Sequence, residues 1–364
     1  MTAAEPPGRS SVPVNSIQVL RAIAALGVVA LHVGHEGATR LGARNPLPDI
    51  SAGAAGVDLF FVISGFIMVY ASDALFARAG APSYFFTRRL ARIVPIYWAA
   101  TAAALVCFVV FRYAGSLEQL SWQTLAASLL FVPWPRPDGL MLPVHILGWT
   151  LNFEMLFYAV FALALMLPRR NAVFAVTALF LGLVALGRAF ALPQPFAFWC
   201  DPVILEFCFG MLIALAYREG FRLPRIAGAA LVITGFAALA LGATASGWPR
   251  LLLWGVPAAV IVAGAALTAP REPGAIARVF IFLGNASYSI YLVHWLAILS
   301  LAGLVAYFRL DIAAAPWGYV AAHAAFALAA SVAVYLAFER PVTRALQRRL
   351  REARTAPALS LKKS

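Results

Sequence analysis

An arginine and a histidine share one apolar run, LRAIAALGVVALH, between Leu20 and His32. Eleven residues part Arg21 from His32, so on a helix they fall within ~20° of one face and ~16 Å apart along the axis. Ala25 and Val28 lie between them on that face, and neither is bulky. A neutral imidazole can take the proton of an attacking hydroxyl, and a guanidinium can grip a phosphate or a carboxylate. Together they suit a long substrate lying along the helix, its anionic head beside Arg21 and its reactive end beside His32. A hydrogen bond or ion pair to a neighbouring helix would account for each residue as well. His35 and Glu36 follow within one turn, which leaves either imidazole, His32 or His35, as the base.

Further ionisable groups stand in otherwise apolar stretches: Asp58 in GVDLFFVISGF, Glu154 in GWTLNFEMLFY, then Glu206, His294 and His323. A carboxylate can orient an imidazole or hold a hydroxyl, which makes Glu154 a catalytic candidate. Asp58, His294 and His323 are candidates for substrate binding. A basic motif, FFTRRLARIVPIYW, sets Arg88, Arg89 and Arg92 at the head of an apolar segment. Arg89 and Arg92 are three residues apart, share a helical face and can hold phosphates together. A plain basic flank of a membrane helix would read the same way.

The elements that must carry these residues follow from composition. Hydrophobic residues make up 63% of the 364-residue chain and charged residues 12%, against about 45–50% and about 25% in soluble domains. So much apolar surface exceeds what a globule of this length can hide, and lipid is the natural place for it. In lipid each ionisable group costs several kcal/mol unless it faces a partner or a cavity, so each is a functional candidate. Ten runs approach the roughly 20 apolar residues that one crossing needs: 17–36, 55–73, 93–112, 148–167, 171–190, 200–217, 225–243, 251–269, 279–307 and 316–338. The ninth is long enough to be tilted, kinked or preceded by an interfacial piece. Segment 121–133 is too short to cross and reads as interfacial or re-entrant.

Charge then sets the orientation. With the N-terminus inside, twenty of the 28 Lys and Arg residues fall inside and six outside. That asymmetry predicts an all-α integral membrane protein of about ten transmembrane helices with both termini cytoplasmic. Residues 1–14 read as a flexible arm, 15–342 as the membrane domain and 343–364 as a basic cytoplasmic tail. His32, Asp58, Glu154 and His323 then lie near the outer ends of their spans, while Arg88, Arg89 and Arg92 lie at an inner entrance. The net charge of +13 needs no nucleic acid to explain it once these flanks are counted. Cys107, Cys200 and Cys208 lie in or beside apolar runs without metal-ligand spacing, so they read as small buried hydrophobes and no metal is expected.

Taken in order, SIQVLRAIAALGVVALH, AAGVDLFFVISGFIMVY, FFTRRLARIVPIYW, GWTLNFEMLFY, LGNASYSIYLVH and FERPV resemble the acyltransferase-3 family of bacterial membrane O-acyltransferases. Within that family the chain is most similar to members that acetylate exopolysaccharides. The resemblance implies a ten-helix inner-membrane enzyme that takes an acyl group from cytoplasmic acetyl-CoA or another short acyl-CoA. The acceptor would be a hydroxyl of a surface glycan, free or lipid-linked, in association with polysaccharide synthesis or export machinery. It carries the family's helix-one Arg and His onto Arg21 and His32, its Arg-x-x-Arg onto Arg89 and Arg92, and its fourth-helix Glu onto Glu154. Membrane lipids are then the other partners. The rival from another class is a transporter or flippase for a lipid-linked glycan, which would need no coenzyme site. A non-catalytic subunit of an export assembly would have little reason to keep so many ionisable groups at one depth.

Overall fold

The computed structural model describes residues 15–111, 120–242, 246–270, 272–311 and 315–355. The expected N-terminal arm, Arg112 and the tail beyond residue 355 lie outside the described residues. Among these residues the regular structure is helical, apart from one isolated bridge between Leu223 and Thr268. The chain opens with α1 (Asn15–Leu41), α2 (Gly56–Ala71), α3 (Ala81–Phe111), a short α4 (Trp122–Leu129) and α5 (Trp149–Ala164). It continues with α6 (Arg169–Ala189), the one-turn α7 (Phe196–Trp199), α8 (Leu205–Arg218) and α9 (Arg225–Leu241). Next, α10 (Gly247–Arg250) runs through a π-turn (Leu251–Gly255) into α11 (Val256–Ala266). After α12 (Ala275–Asn285) and α13 (Ser287–Tyr307), α14 (Pro316–Val334) passes through a second π-turn (Tyr335–Glu339) into α15 (Arg340–Thr355).

Eight of these helical stretches are long and apolar enough to cross a membrane: 15–44, 51–71, 81–110, 146–164, 169–189, 247–266, 287–307 and 316–352. The chain is therefore an all-α, multi-pass membrane protein. Two expected spans are shorter than a crossing of ~20 residues: α9 has 17 residues and α8 only 14, the latter entered through a 3₁₀ turn at Pro202–Ile204. The long ninth segment is two helices, α12 and α13, divided at Ala286. Segment 121–133 holds only the eight-residue α4, whose start is capped by the Ser121 hydroxyl accepting from the Thr124 N–H at 3.0 Å. The expected tail begins as a helix continuous with the last span.

The chain divides into two compact units, Met1–Arg78 with Ala164–Tyr288 and Ala79–Leu163 with Ser289–Ser364. In the first, α2 and α8 approach so closely that Gly65 meets the Phe207 backbone and Gly210 meets the Val62 carbonyl, leaving no room for a Cβ at either position. In the absence of a hydrophobic drive between helices in lipid, such small-residue seams let backbones meet and pack. The same unit brings Arg169 and Arg218 onto Asp73, just past the end of α2, with Arg218 at 3.5 Å. Two basic residues expected on one side of the membrane therefore gather at one end of the unit. In the second unit, Trp98 of α3 donates to the Leu129 carbonyl at the end of α4 (3.0 Å), and the aromatic rings of Phe85, Phe157, Tyr158 and Phe161 knit α3 to α5.

Candidate active site

The first unit carries the imidazole. His32 sits on α1 with Nδ1 at 3.0 Å from the Val28 carbonyl one turn back. A carbonyl only accepts, so Nδ1 bears the proton and the ring lone pair resides on Nε2. His35 is exposed, and the buried Glu36 is paired with Arg40 at 3.0 Å. Arg21 donates from Nε and Nη2 to the Ser287 hydroxyl at 3.1 and 2.9 Å, so the start of α13 holds the guanidinium. The strip between these two residues is not open. Ala25 and Val28 are buried, and a Val28 methyl lies where Gly56 begins α2. The small side chains there serve close helix packing.

Asp58, expected to touch substrate, is fully buried and grips Arg250 with both oxygens, at 3.0 and 2.9 Å. Arg250 also stacks over Trp254 at 5.3 Å, and the fully buried Glu206 lies alongside the pair. Such two-point pairing satisfies a carboxylate that could not otherwise be sequestered from water. Arg250 enters the first π-turn, a local widening common where helices hold special groups.

In the second unit the guanidinium of Arg89 stacks over Phe85 (5.4 Å) and Tyr158 (5.9 Å). The Tyr158 hydroxyl, one turn along α5, donates to Glu154. Arg89 and Glu154, expected at opposite sides of the membrane, thus belong to one polar cluster. The physical reason is length: α3 starts at Ala81, twelve residues before the expected span, so Arg89 lies within a membrane-length helix rather than in its flank. Arg89 Nε is buried without a hydrogen-bond partner among the described residues, a donor poised for an anionic or carbonyl acceptor. Arg88 instead donates to the Tyr84 hydroxyl at 3.3 Å, and Arg92 is half-buried.

His294 and His323 are buried, each with Nδ1 on the carbonyl one turn back (2.7 Å to Ile290, 2.8 Å to Tyr319). Two groups escaped the sequence reading. Glu339, in the FERPV segment, is buried in the second π-turn and accepts from Ser289 N–H (3.1 Å) and its hydroxyl in the first turn of α13, where the helix dipole favours an anion. Its motif was visible; its partner, fifty residues away, was not. His145, also buried, precedes α5 in a loop tied down by Ser128, which accepts from the Val144 N–H at 2.9 Å. Beyond it, the Tyr291 hydroxyl donates to the Leu147 carbonyl at 3.1 Å, so the start of α5, and with it Glu154, is firmly set.

A half-buried helical imidazole of fixed tautomer, and a carboxylate braced by a tyrosine beside an arginine, are parts that acyl transfer to a hydroxyl uses. The family model described as an acyltransferase domain matches residues 14–336, nearly the whole of both units. The chain belongs to the acyltransferase-3 family. Like that family it is a membrane-embedded O-acyltransferase. This acyltransferase-3 chain is 39% identical to the exopolysaccharide production protein ExoZ of Rhizobium meliloti (strain 1021) over 304 residues, which cover 80% of this chain and 90% of that protein. It is 28% identical to the acyltransferase MdmB of Streptomyces mycarofaciens over 380 residues, 94% of each. Protein 2 in the picA locus of Rhizobium radiobacter is 30% identical over 150 residues, 37% of this chain and 76% of that one. No solved structure matches this acyltransferase-3 chain.

Proposed function

We propose that this enzyme moves an acetyl or other short acyl group from cytoplasmic acyl-CoA to a hydroxyl of an exopolysaccharide or another surface glycan. The acceptor class is supported by the likeness to a protein named for exopolysaccharide production across nine-tenths of its length. The observation that carries the chemistry is the His32 tautomer, with Nδ1–H committed to Val28 and the basic lone pair on Nε2. His32 Nε2 takes the proton of the sugar hydroxyl as its oxygen bonds to the thioester carbon. The tetrahedral oxyanion then collapses, the carbon–sulfur bond breaks, and the coenzyme thiolate leaves and takes up the proton. No metal is needed for a thioester to react in this way; a base, an oriented acceptor and oxyanion support suffice.

Glu154, braced by Tyr158, is assigned to holding the sugar hydroxyls, and Arg89 is assigned to an anionic or carbonyl oxygen of the donor because its buried Nε seeks an acceptor. Arg88, Arg92 and Arg21 complete the basic set for coenzyme phosphates. The twenty-to-six basic asymmetry supports cytoplasmic termini, hence donor access from inside and an inner-membrane location. The glycan is presented free or lipid-linked, by the machinery that builds or exports it. The test is transfer of label from radiolabelled acetyl-CoA to added glycan by the protein in liposomes. Transfer lost in His32→Ala with normal insertion supports the reading, and full transfer in that variant sinks it.

A further inference from the structure

The first unit contains a cavity of about 850 Å³ at the end where α1, α9 and α12 begin. Its walls are largely apolar, with Val19, Val232, Ile233 and Ile281 among them, and Gly228 and Gly264 line it where α9 meets α11. Polar groups are grouped among Tyr70, Tyr217, Arg225 and Glu272. Behind the two tyrosines stand further cations: Arg218 stacks on Tyr70 at 4.5 Å and Arg222 on Tyr217 at 3.8 Å. Arg278 follows the lining residue Ala277 on α12. The outer faces of the two flanking helices are bare hydrocarbon, with Ile226 of α9 87% exposed and Ile276 of α12 77% exposed. Those faces belong against lipid. Ile233 lies eight residues along α9 from Arg225, ~12 Å deeper by helical rise.

We infer that this cavity seats one anionic phospholipid, its phosphate at Arg225 and one chain running inward past Val232 and Ile233. Charge and depth both select that occupant. Arg225 in the lining and Arg222 on the ring of Tyr217 stand against Glu272, Arg218 being paired with Asp73, and a phosphate-sized anion is what such a pair of guanidiniums holds. Below them the walls become apolar over a distance that suits an acyl chain and leaves a soluble phosphate ester without partners. The lining includes neither His32 nor Arg21, and the inference does not depend on the acyl-transfer reading.

The experiment uses full-length protein, delipidated in detergent, with phosphatidylglycerol or phosphatidylcholine added back and the retained lipid counted by native mass spectrometry. The wild type should retain one phosphatidylglycerol per chain about tenfold more tightly than phosphatidylcholine, the margin expected of one charge-assisted contact. Arg225→Gln, which removes the cation from an exposed position, should erase that preference. Ile233→Trp, which fills the cavity from a largely exposed position, should lower retention of both lipids, while Ile226→Trp on the outer face should change neither. Equal retention of the two lipids by the wild type, or undiminished phosphatidylglycerol in both cavity variants, would mean annular lipid only and overturn the inference. Displacement of the lipid by micromolar acetyl-CoA would assign the cavity to the donor and overturn it too.

Discussion

At the scale of single residues, His32 carries the heaviest chemical assignment. Its Nδ1 is committed to the backbone of its own helix, a bond that every side-chain rotation would break, so the basic nitrogen has a fixed aim. General-base catalysis contributes typically ~10²–10⁴-fold, and His32→Ala should lose that much of the transfer rate while inserting normally. His35→Ala, at an exposed position, should stay within about twofold of wild type. Steady-state rates of acetyl transfer measure both, and the reverse pattern would move the base to His35. Tyr158→Phe removes one hydrogen bond from Glu154 and should cost about 0.5–1.5 kcal/mol, up to roughly tenfold in rate. Glu154→Gln should cost more than Tyr158→Phe; equal losses would mean that the carboxylate acts only through its bond to the tyrosine.

At the scale of elements, two π-turns place buried charges, and each makes a prediction about stability. Glu339→Ala removes the anion at the start of α13 and leaves the Ser289 N–H without its acceptor, a loss of about 1–2 kcal/mol in thermal unfolding. Ser289→Ala in that background should add little, because the two act as one contact. Asp58→Ala strands Arg250 and should destabilise by about 3–5 kcal/mol, whereas the double change Asp58→Ala/Arg250→Leu should recover part of it. If the double variant were no more stable than Asp58→Ala, the pair would not be the reason Asp58 is buried. These contacts were not legible in the sequence. Asp58 and Arg250 are 192 residues apart, and a charge in an apolar run announces that it has a partner without saying which. What could be read was the run itself: the ionisable residues of α1, the Arg89–Arg92 spacing and the apolar lengths stand out locally.

At the scale of the molecule, hydropathy located the helices well and their breaks poorly. The division at Ala286 falls at the polar Asn285 and Ser287, in keeping with the kink or preceding piece expected of the long ninth segment, whereas α8 is short because a 3₁₀ turn consumes its beginning. The strip of Ala25 and Val28 misled for a related reason, since small residues mark close packing as readily as open space. The proposed topology is open to labelling. Cys107, Cys200 and Cys208 are buried, so Thr39→Cys and Arg348→Cys can be probed with an impermeant maleimide against a quiet background. Thr39→Cys should label from outside the cell and Arg348→Cys only after the membrane is opened; labelling from one side would remove the case for cytoplasmic donor access.

The most direct test of the central claim is acetyl transfer in liposomes from radiolabelled acetyl-CoA to exopolysaccharide fragments. Wild type should be compared with His32→Ala and with Arg89→Ala/Arg92→Ala. Label on the glycan from wild type, absent with His32→Ala and recovered only at high donor concentration with the arginine variant, is the predicted result. Label delivered equally by all three proteins would contradict the assignment of base and donor site. Failure of wild type to bind or turn over any short acyl-CoA would contradict acyl-CoA as the donor.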